Sequence, residues 1–134
     1  MILSIPFLIL VLIGYNIAVF AGDINSILAS EVVSMNLVSG ATWSLSGSDL
    51  FIIFGIIILY LEIIKATRTG LSSILDHTLS TLVFIAFLIE FLMVKGCGTS
   101  TFFVLMLMAL LDVVSGFTVS IVSARRDFGF GGNQ

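Results

Sequence analysis

The chain has 134 residues, 59% of them hydrophobic and 10% charged, with a mean hydropathy of +1.27. A soluble domain covers its surface with roughly 25% charged residues, so a water-soluble globule is excluded. The net charge of -3 comes with no basic patch, which argues against a nucleic-acid partner.

Four apolar runs take up most of the length: residues 2–21, 49–66, 74–94 and 100–123. A spanning helix needs ~20 mostly apolar residues. The runs therefore predict an all-α membrane protein, a four-helix transmembrane bundle with up-down-up-down order, forming a single domain. Residues 22–48 are left as an outer loop and residues 127–134 as a flexible tail.

The first run has no charged side chain, and Pro6 stands in its first turns, where a missing N–H costs little. Gly14, Tyr15 and Asn16 form a polar notch in its outer half. The sequence Val19-Phe20-Ala21 before Gly22 resembles a signal cleavage site. However, residues 1–6 hold no Lys or Arg, and the run is long for a signal peptide, so a retained helix is expected.

In the outer loop, Asp23 is placed to cap a short helix. Ile24, Ile27, Leu28, Val32 and Met35 then share one face, as in a helix lying on a membrane surface. Trp43 follows, a residue that favours the interface. Ser48 is the expected cap of the second run, with Asp49 at its positive end.

Glu62 and Lys65 close the second run at i,i+3 spacing, where they can pair, and Lys65 can also snorkel to the lipid headgroups. Residues 67–73 read as a tight polar turn containing Gly70. In the third run, Asp76, Ser80, Val83, Phe87 and Glu90 share one helical face, which should point into protein. In the fourth, Gly116, Ser120 and Ala124 follow Asp112 at steps of four, with Ser115 at three. Such a small-residue stripe lets another helix approach closely.

Orientation follows from the five basic residues. Lys65, Arg68, Arg125 and Arg126 lie at one end of the runs, and Lys95 alone lies at the other. Cytoplasmic loops carry the Lys/Arg excess, so both termini are expected inside. Cys97, the one cysteine, has no internal disulfide partner and reads as an inert thiol at a helix end.

Asp112 is the sharpest candidate for chemistry. Counted along the fourth run it lies ~15 Å deep at ~1.5 Å per residue. A charge there costs ~2.5–3.5 kcal/mol, so the carboxyl is protonated unless it has a partner. The functional reading is a proton or ion site, and the structural one is a carboxyl bonding across helices. Depth also suggests a cytoplasmic-edge cluster of Glu62, Asp76, His77 and Arg68, near the level of Thr118. Glu90 is expected to meet Asn16 or Lys95 at the outer edge. One His with no Cys nearby lacks metal-ligand spacing, so no metal or other cofactor is expected. No nucleophile–base set or phosphate loop appears, so enzymatic catalysis is not expected.

The stretches "EIIKATRTG" (62–70), "SSILDHTLS" (72–80) and "LLDVVSGFTVSIVSARRD" (110–127) cover about half the chain. They resemble a group of small, uncharacterised bacterial inner-membrane proteins with four spans. The resemblance implies a multi-pass inner (plasma) membrane location and no activity. The leading expectation is an accessory or scaffold subunit, with the lipid bilayer and a membrane protein or a second copy as partners. A small transporter or proton-linked channel using Asp112 comes second, and a holin-like pore former third.

Overall fold

The computed structural model describes residues 4–68 and 71–130. Its elements are α1 (Leu8–Ala21), α2 (Ile24–Ala29), β1 (Glu31–Asn36), β2 (Thr42–Ser46), α3 (Gly47–Ala66), α4 (Leu71–Met93), a 3-10 turn (Lys95–Cys97) and α5 (Ser100–Phe130). The protein is mostly helical. Among the described residues, three helices are long and apolar enough to cross a membrane: α3, α4 over Ser73–Met93, and α5 over Ser100–Arg126.

α1 is shorter than its apolar run. It has 14 residues, ~21 Å at ~1.5 Å per residue, against a hydrocarbon core of ~30 Å. Helix starts after Pro6 rather than around it. Proline restricts the residue before it, and the backbone there is engaged by α3 instead: Lys65 takes the Ile5 carbonyl and Glu62 the Phe7 N–H.

The loop departs further from expectation. Asp23 does cap α2, accepting the Asn25 N–H at 3.2 Å, but that helix stops at Ala29. Val32 and Met35 lie on a strand, not on a helix face. β1 and β2 form an antiparallel hairpin closed at Gly40, whose φ of 85° is the left-handed conformation that glycine adopts freely. The residues explain it: Val-Ser-Met-Asn from Val33, past a register shift, and Thr-Trp-Ser-Leu-Ser alternate apolar and polar, a period-2 pattern that fits strands and not helices.

The cap of α3 stands two residues before the expected one. Ser46, not Ser48, accepts the Asp49 N–H at 3.3 Å, while the Asp49 carboxylate receives the Ser46 N–H at 2.8 Å. That reciprocal capping box satisfies two otherwise orphaned donors. α4 starts at Leu71, so the turn from α3 is shorter than the expected 67–73. Gly70 lies outside the described residues. The expected flexible tail is helical as far as Phe130, because extending a formed helix adds one hydrogen bond per residue fixed. Gly132, Asn133 and Gln134 lie outside the described residues.

α5 is the central packing element, lying against both α3 and α4, with α1 packed mainly on α3. α1 contributes Leu8, Val11, Leu12 and Tyr15 to the core, an i, i+3, i+4, i+7 stripe. They meet Phe87 of α4 and Phe102 and Leu105 of α5. Tyr15 sits between Phe51 and Phe102, with ring centroids 5.2 and 4.9 Å away and the planes tilted by 59° and 58°. Gly55 brings α3 close to α5, since a Cβ there would run into Leu105 and Met108.

Candidate functional site: a buried charged cluster

Three helices bring ionisable and polar side chains together at one end of the bundle. Glu62 and Lys65 come from the last turns of α3, Asp76 and Ser80 from the start of α4, and Asp112 from α5. All five are buried, with exposures of 0 to 8%. The segment entering α1 closes the group with the backbone of Ile5 and Phe7.

Lys65 is the hub. Its Nζ lies 2.9 Å from Glu62 Oε2, 2.9 Å from Asp76 Oδ1 and 2.8 Å from the Ile5 carbonyl oxygen. An ammonium has three donors, and three acceptor groups surround it. Nζ donates to Glu62 Oε1 at 3.2 Å, while Glu62 Oε2 and Asp76 Oδ1, each 2.9 Å away, are close ion pairs without a hydrogen bond. Nζ also stands 4.4 Å from the Phe7 ring centroid, a cation–π contact. The expected snorkelling of Lys65 to headgroups is therefore overturned. The side chain reaches into the bundle because two buried carboxylates and a free carbonyl await it there.

Glu62 works in two directions. It pairs with Lys65 and accepts the Phe7 N–H at the start of α1. A carboxylate at a helix N-terminus meets the positive end of the helix dipole and satisfies an orphan N–H. Glu62 thus fixes where α1 begins.

Asp112 is buried near Ser80, Asp76 and Lys65. Glu62 in turn feels Asp112. Asp112 is therefore not the isolated deep carboxyl expected from its own run. Glu62 is four residues from the end of α3 and Asp76 five from the start of α4, ~6 and ~8 Å respectively. Asp112 shares their level because α5 continues ~27 Å beyond it, past the end of α3. Counting inward from the ends of a single run misses this overhang.

His77 and Arg68 do not join the cluster. Adjacent helical residues point ~100° apart, so His77 turns away as Asp76 turns in. His77 Nε2 lies 2.9 Å from Ser120 Oγ and 3.3 Å from Ser73 Oγ, and its ring stacks on Phe117 with centroids 6.1 Å apart. Gly116 makes room for the ring: a Cβ there would collide with it. The small stripe of α5 thus seats a histidine of α4. Ser120 serves that seat, Ser115 donates to the Asp112 carbonyl oxygen of its own helix, and Ala124 is exposed. Arg68, Arg125 and Arg126 are exposed at the same end of the bundle, and Thr118 is exposed and bonded to its own helix.

The opposite end holds a second polar network. Asn16 donates to Glu90 Oε2 at 2.7 Å and to the Leu12 carbonyl oxygen at 3.0 Å. Lys95 is exposed, and among the described residues it forms no ion pair with Glu90. The Tyr15 hydroxyl lies 2.5 Å from Thr99 Oγ1 and ties α1 to the start of α5. Cys97 is buried, and its thiol faces Glu90 Oε2 at 3.8 Å. Burial first, then the Glu90 charge and hydrogen bond, push the thiol up to about 11.

Comparison with family models, curated proteins and solved structures finds no match for this chain. Chemistry must therefore be read from the cluster itself. Among the described residues no group of three or more His, Cys, Asp or Glu side chains is placed to hold a metal ion. The cluster combines three carboxyls with a single ammonium, all of them buried.

Sequence reasoning places Glu62, Asp76 and Asp112 as polar residues to be explained, and the helical face containing Asp76 and Ser80 is legible from its spacing. The inward turn of Lys65, and the part played by the backbone of Ile5 and Phe7, carry no such signal.

Proposed function

We propose that this chain is a small, non-enzymatic integral membrane protein that serves as an accessory or scaffold subunit of a membrane complex. The carrying observation is that the Lys65 ammonium is held by groups from α3, α4 and the segment entering α1, as ion pairs with Glu62 and Asp76 and a hydrogen bond to the Ile5 carbonyl oxygen. A buried ion pair is weak evidence for stability, but a group that fits only one arrangement of helices sets their register. Here it pins helix ends together and leaves the outer apolar faces to lipid or a partner. Ile56, Ile57 and Tyr60 of α3 and Leu111, Val114 and Phe117 of α5 are more than half exposed.

The membrane reading proposed here has α1 completing a fourth crossing with help from the segment before it. Both termini face the cytoplasm, supported by the basic residues Lys65, Arg68, Arg125 and Arg126 at one end and Lys95 alone at the other. The resemblance noted above favours a bacterial inner membrane. Partners are lipid and either another membrane protein or a second copy.

A second reading has one specific observation in its favour. Three buried carboxyls against one ammonium leave an excess of two formal negative charges, which bound protons would neutralise. That suits a proton-linked transporter or channel using Asp112. It ranks second because the α5 backbone is continuous past Asp112, whereas transport sites are typically built on broken helices. A holin-like pore former ranks third, with no observation of its own.

Native electrophoresis of membranes solubilised in mild detergent tests the leading reading. The chain is expected to migrate in an assembly well above its own 14.4 kDa, unchanged by Asp112→Asn. A monodisperse monomer overturns the subunit reading.

A further inference from the structure

The β1–β2 hairpin has two unlike faces. Cross-strand partners share a face in an antiparallel pair, and the pairs here are Val33–Leu45 and Met35–Trp43 on one side, Ser34–Ser44 and Asn36–Thr42 on the other. The polar face is tied across by Thr42 Oγ1 donating to Asn36 Oδ1 at 3.1 Å. The apolar face is largely uncovered: Val33, Met35 and Trp43 are 44, 52 and 43% exposed. An isolated two-stranded hairpin is marginal in water and needs something against its apolar face.

We propose that this face lies on the bilayer, at the boundary between headgroups and acyl chains, as an interfacial anchor at the end of the bundle opposite the charged cluster. The proposal rests on the membrane reading above. Three observations select lipid as the occupant. Beyond Glu31 at its base, the hairpin carries no charged side chain, so its apolar face offers no charge to pair with a protein surface and no cation to attract anionic lipid. The hairpin has no free length with which to leave the membrane: Gly47, first residue of α3, donates its N–H to the Ser30 carbonyl oxygen at 2.9 Å. Finally, an apolar crevice of about 330 Å³ runs from Ile27 and Val32 at the hairpin base onto Leu50 and Phe54 of α3, on the face that the membrane reading turns to lipid. The apolar surface is thus continuous from span to hairpin.

Depth is bounded from both sides. Full insertion would strand the unpaired N–H and C=O groups of the strand edges in hydrocarbon. Standing clear in water would expose the apolar face. The interface satisfies both, and it is where tryptophan partitions best.

Trp43 is the one tryptophan, so its own fluorescence reports on the hairpin in the intact protein. The full chain is reconstituted at low density into phosphatidylcholine vesicles. Blue-shifted emission is expected. Lipid brominated near the headgroup end of the acyl chain should quench it more than lipid brominated at mid-chain, with no dependence on salt. The double variant Val33→Ser, Met35→Ser should lose that quenching several-fold. Emission like that of free tryptophan, quenched by aqueous acrylamide, overturns the proposal. So does blue-shifted emission untouched by brominated lipid, which would show that a second copy covers the face. Failure of the chain to float with vesicles overturns the membrane reading itself, and the two failures are thereby distinct.

Discussion

Replacing Lys65 with methionine keeps the length of the side chain and removes the ammonium at the centre of the cluster. The structure sets the size of the effect. Three contacts of 2.8–2.9 Å are lost, to Ile5, Glu62 and Asp76, and two carboxylates no more than 8% exposed lose their counter-ion. Removing one partner of a buried pair costs ~3–5 kcal/mol, mostly because the remaining charge stays buried and uncompensated. A headgroup-exposed lysine would give ~0–1 kcal/mol. The assay is equilibrium unfolding in dodecyl maltoside micelles titrated with dodecyl sulfate and followed by circular dichroism. Lys65→Met is expected to lose ~3 kcal/mol or more. Adding Glu62→Gln and Asp76→Asn to the same chain should recover most of it, because neutral amides need no cation. A loss below ~1 kcal/mol, or a triple variant no better than the single, refutes the buried hub.

Gly116→Ala places a methyl group against the His77 ring and should cost ~1–3 kcal/mol, less up to ~1 kcal/mol returned by the better helix propensity of alanine. His77→Ala in the same chain should remove the clash, and a double-mutant cycle should give a coupling of ~1 kcal/mol or more; additivity would show that the two do not touch. Cys97, with its thiol pushed up to about 11, should be roughly one part in a thousand thiolate at pH 8 and resist maleimide until the bundle is unfolded. Labelling of the native protein as fast as of free cysteine would contradict its burial beside Glu90.

Much of the architecture is legible in the residues because lipid leaves a coarse signature. Long apolar runs can bury their backbone only as helices, so α3, α4 and α5 follow directly. The Asp76–Ser80–Phe87 face is equally legible, since helical spacing fixes which side chains share a side. The hairpin is legible too, from the alternation in residues 33–36 and 42–46, but Ile24, Ile27 and Leu28 just before it carry the helical period and mask the change. The early end of the N-terminal run is not legible. It depends on Glu62 and Lys65, more than fifty residues away, taking the backbone groups around Pro6. Lys65 itself reads as a snorkelling residue by its place at a helix end. Only the convergence of two other helices turns it inward.

Whether the cluster is a closed clamp or a path for protons is tested most directly by proton flux into liposomes. The reconstituted wild-type chain and Asp112→Asn are compared under an imposed pH gradient with a fluorescent dye inside. The clamp predicts no flux above that of empty vesicles for either chain. Gradient-driven proton entry through the wild type, abolished by Asp112→Asn while the protein still folds and floats, contradicts it.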